Sequence, residues 1–137
     1  MDLYKLNSST FTSDPITHSR LKSLSKLSQS TEDHISRIGL ALSLRRGALE
    51  GGWTPTKGDG EIDQVGPFPE KHLKGKTLFK DEIEMWLAMI LHHQSPKDYA
   101  DWRSVIVSHW ERGVQELFEI ASLEGDWIRT LKSCLPE

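Results

Sequence analysis

The side chains able to do chemistry in this 137-residue sequence are six histidines, one cysteine, several acidic pairs, scattered serines and an amino-terminal set of cations. The histidines are His18, His34, His72, His92, His93 and His109. His92 and His93 are adjacent, so on a helix they point about 100° apart, whereas zinc-binding helices use i and i+4. Cys134 stands alone, which permits no internal disulfide and no cysteine zinc cluster, and fits a reducing, cytoplasmic setting. Its place four residues from the end predicts a frayed tail. No serine lies in a G-x-S-x-G elbow, and Gly58-Asp59-Gly60 lacks the Lys-Ser/Thr ending of a phosphate loop. Asp81-Glu82-Glu84 and Asp98 with Asp101 read as helix starts, where first-turn carboxylates complement the dipole. With no assembled set of catalytic roles, the expectation is a protein that is not an enzyme and needs no cofactor or metal.

The cations are more informative. The net charge is -3, from 17 Lys and Arg against 20 Asp and Glu, which on its face argues against a nucleic-acid partner. Divided at Lys57, the charge separates. Residues 1–57 hold eight basic residues against Asp2, Asp14, Glu32, Asp33 and Glu50, a net +3, and the remainder holds nine against fifteen, a net -6. Six of the amino-terminal cations, Arg20, Lys22, Lys26, Arg37, Arg45 and Arg46, fall on two predicted helices. Beside the hydroxyls of Ser28–Thr31 at a helix start, they are the usual equipment for holding a phosphate backbone. The bland reading is a solvated face plus dipole complementation at a helix end.

The elements that must position these groups are mainly α. Leu3–Asn7 allows a short strand, and Ser8-Ser9-Thr10 reads as a turn. Ser13-Asp14-Pro15 predicts a helix start, followed by Leu21, Leu24 and Leu27 at three-residue spacing. After a break at Ser28–Thr31, Ser30 with Asp33 approximates a capping box. Ile35, Ile38, Gly39, Leu42 and Leu44 then form a core stripe ending at Arg45-Arg46-Gly47. Residues 47–76 carry seven glycines and three prolines, which predicts a Gly/Pro-rich connection, either a short hairpin or a functional loop. From Thr77 helix returns: Ile83, Trp86, Leu87, Ile90 and Leu91 fit the amphipathic template. Ser95-Pro96 predicts the start of a long helix with Tyr99, Trp102, Ile106, Trp110, Val114, Leu117, Phe118 and Ala121 on one stripe. Gly125 stops it, and Asp126-Trp127-Ile128 begins a last helix. The organisation is one domain with a basic helical pair at 1–46, the connection at 47–76 and a Trp-rich acidic helical part at 77–137. The longest apolar runs are a few residues, so no bilayer span is predicted, and no secretory signal is visible. Trp86, Trp102 and Trp110 read as core. Long apolar stripes on few residues, with Trp surface to spare, point to a homo-oligomer.

Two stretches resemble the DNA sulfur modification protein DndE family. The first runs from Arg20-Leu21-Lys22-Ser23-Leu24-Ser25-Lys26-Leu27 through Thr31 to Ile35-Ser36-Arg37-Ile38-Gly39-Leu40-Ala41-Leu42-Ser43-Leu44. The second is Gly75-Lys76-Thr77-Leu78-Phe79-Lys80-Asp81-Glu82 leading into Met85-Trp86-Leu87-Ala88-Met89-Ile90. Together they cover residues 14–95. The turn departs from the family: Ser28-Gln29-Ser30-Thr31-Glu32-Asp33 replaces a Thr-Gly sequence followed by Pro-Asn. The carboxy-terminal extension with Trp102 and Trp110 is also longer than in compact members. The resemblance implies a non-catalytic, homo-oligomeric subunit of the DNA phosphorothioation machinery. Such a subunit binds the double-stranded DNA backbone, with a preference for nicked duplex, beside an iron–sulfur protein and an ATPase. The positions matching that role are Lys22, Lys26, Arg37 and Arg45, with Arg20 and Arg46 beside them. Two alternatives stand: a ribbon–helix–helix-type transcriptional regulator using Leu3–Asn7 as its strand, and a protein–protein adaptor that never touches DNA.

Overall fold

In the computed structural model, which describes residues 2–58 and 68–136, the chain opens with a 3₁₀ helix over Leu3–Ser8 rather than a strand. Leu3 and Leu6 are spaced for three residues per turn, Leu6 is fully buried, and the Asp2 carboxylate accepts from the Tyr4 amide at 3.0 Å. The strand lies further on. β1 (Thr10–Ser13) pairs antiparallel with β2 (Lys71–Lys74), Thr10 opposite Lys74 and Ser13 opposite Lys71. Phe11 and Ser13 point inward, as period-two alternation requires. The end of the Gly/Pro-rich connection therefore supplies a strand; Asp59, Gly60, Gly66 and Pro67 of that connection lie outside the described residues.

α1 (Pro15–Ser28) starts as the sequence predicts: Asp14 accepts from the Thr17 amide at 2.9 Å, and Pro15 takes the first position. Leu21 and Leu24 are buried, but Leu27 is 39% exposed. The turn closes on Gln29 in the left-handed region (φ 58°). α2 (Glu32–Arg46) is capped by Thr31, which accepts from His34, and not by the Ser30–Asp33 box. It ends at Gly47 with φ 113°.

The helix beginning near Thr77 is two helices. α3 (Gly75–Phe79) stops where Lys80 and Asp81 take positive φ, and α4 (Ile83–Leu91) follows, with the Trp86 indole donating to the Phe79 carbonyl across the break. Leu91, at the edge of the predicted stripe, is exposed. α5 (Tyr99–Glu124) begins at Asp98 and not at Ser95-Pro96. Asp98 accepts from the Asp101 amide, and Asp101 in turn accepts from Lys97, so both carboxylates are committed to the helix start. Gly125 ends α5 at φ 69°, and α6 (Trp127–Cys134) is capped by Asp126.

One buried cluster runs through these elements from Leu6 to Cys134, and Trp86, Trp102 and Trp110 belong to it. At its centre α2 crosses α5 with almost no space between the backbones. A Cβ on Gly113 would lie 1.6 Å from the Gly39 carbonyl oxygen, and one on Gly39 would lie 2.9 Å from the Val114 nitrogen. Both helices are flanked by fully buried apolar side chains there, including Leu40, Trp110 and Val114. In the same cluster, Phe11 of β1 meets Phe79 of α3 edge to face at 5.8 Å.

Backbone cannot yield as a flexible side chain can. Gly113→Ala is therefore expected to lower unfolding free energy by more than about 2 kcal/mol in urea titration, despite alanine's better helix propensity. Gly51→Ala, with nothing near its Cβ position, should be close to neutral.

Candidate nucleic-acid interface

The six predicted cations do not form one patch. Arg20 leaves the surface entirely: it is 2% exposed. Its Nη1 donates to Gln115 Oε1 at 3.1 Å, its Nη2 donates to the Thr56 carbonyl, and its guanidinium lies 5.7 Å from the Phe118 ring centre. Gln115 Oε1 also accepts from the Thr56 amide at 2.9 Å. Arg20 thus pins the strap after α2 onto α1 and α5. The signal was present in the spacing, since Ile16, Arg20 and Leu24 share the i, i+4, i+8 row that α1 buries.

Of the other five, Lys22 and Lys26 lie toward the amino end of α2, Arg37 lies inside it, and Arg45 and Arg46 end it. At its amino end, Lys22 lies 2.7 Å from Glu32 Oε2, and Lys26 is exposed one turn further along α1. Arg37 is half-buried and donates to the Thr77 carbonyl at 2.8 Å, which ties α2 to α3. At the carboxy end, about 20 Å away for a helix of this length, Arg45 is exposed and Arg46 lies 3.8 Å from Glu116.

Two residues absent from the predicted set join the amino-end group. Lys71 lies 3.0 Å from Glu32 Oε1, and His18 Nε2 lies 3.6 Å from the same oxygen. His18 Nδ1 faces the Pro69 carbonyl at 2.9 Å; a carbonyl can only accept, so that nitrogen carries the proton. Burial of Glu32 works to raise its pKa, but hydrogen bonds and charge from Lys22 and Lys71 prevail and hold it below the ordinary carboxylate value. Lys71 could not be read from helical periodicity. The Ser13–Lys71 pairing alone brings β2 beside α1.

The carboxy end of α2 carries a second constellation, buried and polar. Arg112 Nη2 donates to the carbonyls of Ser43 and Gly47 at 2.6 and 2.5 Å, and Nη1 to Ala48 at 3.1 Å. This places a cation on the last carbonyls of α2. Its Nε donates to Ser43 Oγ at 2.8 Å, Ser43 donates on to His109 Nδ1 at 2.8 Å, and His109 Nε2 donates to Gln94 at 2.6 Å. Every donor in this chain points the same way. Ser43 and His109 are both fully buried, so their contact positions structure and presents no nucleophile. Burial, with the charges of Arg112 and His93, lowers the His109 pKa to about 4. Cys134 is likewise not in a frayed tail: it is the last residue of α6, buried, and its thiol is raised by burial.

Beside Arg45, α2 and α6 form an apolar groove of about 500 Å³ lined by Ile38, Ala41, Leu42, Ile128, Leu131 and Leu135. Most large exposed apolar side chains are aliphatic, Ile128 and Leu135 among them, while Trp53 and Trp127 are half-buried. Among the described residues no group of three or more His, Cys, Asp or Glu side chains is placed to hold a metal ion, and no helix is long and apolar enough to cross a membrane. No protein-family model, curated protein or solved structure matches the chain.

His109 makes stability depend on pH. Its folded pKa lies below the unfolded value of 6.5, so the unfolded chain binds the extra proton first. Stability is then full above about 6.5 and is lost as pH falls toward 4, by at most about 3 kcal/mol. In chemical denaturation at pH 7, 5.5 and 4, His109→Gln should show a smaller acid-induced loss than the parent. Glu111, raised by burial, acts in the opposite sense but is common to both proteins.

Proposed function

We propose that this protein is a non-catalytic, DNA-binding subunit of DNA phosphorothioation machinery that contacts duplex backbone, including nicked duplex. The resemblance to the DndE family falls on α1–α2 and α3–α4, and α1 and α2 carry all six of the predicted contact cations. The single observation that bears most on this reading is the gathering of Lys22, Lys71 and His18 at the amino end of α2, with Lys26 exposed beside them. Phosphate contact through lysines and a helix start fixes position without reading sequence, which suits a subunit that serves a modification complex. The reading includes a homo-oligomer working in the cytoplasm beside an iron–sulfur protein and an ATPase. The apolar α2–α6 groove and the exposed Ile128 and Leu135 support contact with protein.

The ribbon–helix–helix alternative gains β1, α1 and α2 in the required order. Its ribbon, however, pairs the same strand from two chains, whereas β1 pairs with β2 of its own chain.

In a salt series with nicked and intact duplex, Lys22→Glu with Lys26→Glu should weaken binding about tenfold or more. The slope of log K against log salt should fall by roughly one per lost contact. Arg20→Met should instead lower stability while leaving the slope unchanged. Salt-indifferent binding, or equal binding by the charge-reversed protein, would refute the reading.

A further inference from the structure

The arrangement around Glu32 is a small cluster of cations with an anion already in it. Four side chains from three elements meet: His18 and Lys22 one turn apart on α1, Glu32 at the first position of α2, and Lys71 at the first position of β2. The two carboxylate oxygens face different cations. Oε2 lies 2.7 Å from Lys22 Nζ, while Oε1 is paired by charge with Lys71 Nζ at 3.0 Å, has His18 Nε2 at 3.6 Å, and is left without a well-aligned hydrogen bond. A phosphodiester presents the same pattern, one negative charge shared by two non-bridging oxygens. The positive end of α2 adds to the attraction. Asp33 and Glu70, neighbours in sequence of Glu32 and Lys71, add negative charge that opposes it.

Accessibility is asymmetric. The side chains of Glu32, His18 and Lys71 are 13%, 13% and 18% exposed, but that of Lys22 is 47% exposed. The pair therefore opens to solvent on the α1 side, where Lys26 continues the row. An ion pair open to water is weak, so an incoming anion with its own cation contacts along α1 can take the ammonium groups from the carboxylate.

We infer that Lys22 and Lys71, with His18 packed beside them, form a phosphate site whose resident anion is the chain's own Glu32 carboxylate, so that a backbone phosphate binds by exchange with Glu32. This deepens the proposed function and rests on it for the identity of the ligand as DNA. Glu32 acts as an internal competitor: it holds the site assembled and sets a threshold below which isolated phosphates do not displace it. Its depressed pKa keeps it charged through the neutral range, so the competition persists there.

The test is duplex binding over a salt series by the full chain and four variants. Glu32→Gln should bind several-fold more tightly than the parent, with a salt slope steeper by roughly one to two, because two ammonium groups are released to phosphate. Asp33→Asn makes the same change in net charge one residue away and should give a smaller gain and no more than a slight change in slope. Lys71→Gln should weaken binding and lower the slope by roughly one, and combined with Glu32→Gln it should cancel most of the gain. Thermal midpoints accompany each variant, and Lys71→Gln decides the matter if Glu32→Gln does not fold. Parent-like affinity and slope in Glu32→Gln, an equal gain in Asp33→Asn, or a Lys71→Gln protein indistinguishable from the parent would each overturn the exchange while leaving duplex binding intact. If the parent binds no duplex, the functional reading fails and the site is judged on inorganic phosphate, followed by the His18 ring resonances in NMR. Saturation at lower phosphate in Glu32→Gln than in the parent supports exchange, and no difference overturns it.

Discussion

The α2–α5 crossing governs the rest of the structure. Gly113 has no room for a Cβ against the Gly39 carbonyl, so the two helices meet backbone to backbone. Close approach at this point lets Trp110, Val114 and Leu117 of α5 interlock with the α2 stripe, and dense packing is what makes such a contact specific. It also fixes where both ends of α2 project. The amino end meets α1 and β2, and the carboxy end meets Arg112, His109 and α6. Any functional arrangement of cations along α2 inherits its geometry from this one contact.

Two buried arginines then organise the segment that follows α2. Arg112 collects the carbonyls of Ser43, Gly47 and Ala48, and Arg20 collects Thr56 with help from Gln115. A chain rich in glycine cannot hold itself by propensity or apolar burial, since each residue loses much conformational freedom on ordering. Planar guanidinium groups with several donors can bind successive backbone carbonyls, which lysine cannot do in the same geometry. The strap is therefore positioned by polar contacts from the helices beneath it. These two cations are withdrawn from any surface role, although the chain's net charge counts them with the rest.

The surface charge that remains is partitioned and internally compensated. Lys22 and Lys71 share Glu32, Arg46 faces Glu116, and Arg37 caps the end of α3 through Thr77. Lys26 and Arg45 stay exposed at opposite ends of the helical pair. A phosphate backbone meeting this surface encounters short clusters separated by apolar ground, including the groove beside Arg45.

Much of the helical layout was legible in residue order. The starts at Asp14-Pro15 and Asp126 and the stops at Gly47 and Gly125 follow from local hydrogen bonding and φ preferences, which need no distant partner. The misplaced features have equally local causes: Thr31 and Asp98 outcompeted Ser30 and Ser95 as caps, and the three-residue leucine spacing near the amino terminus was a 3₁₀ helix. Arg20 is legible from its row on α1, where it lies between Ile16 and Leu24 on the buried face. Lys71, His18 and the role of Gly113 were not readable. They depend on meetings across β1–β2 and α2–α5, such as Ser13 with Lys71 and Gly39 with Gly113, which are 58 and 74 positions apart in sequence, and no local pattern encodes such meetings. The sequence by itself determined the main α-helical segments, the caps at Asp14, Gly47, Gly125 and Asp126, and that positive charge gathers toward the amino terminus. Tertiary structure alone decided which of those charges face solvent and which carboxylate holds them. Burial and ion pairing are properties of neighbours in space, and those neighbours are set by packing.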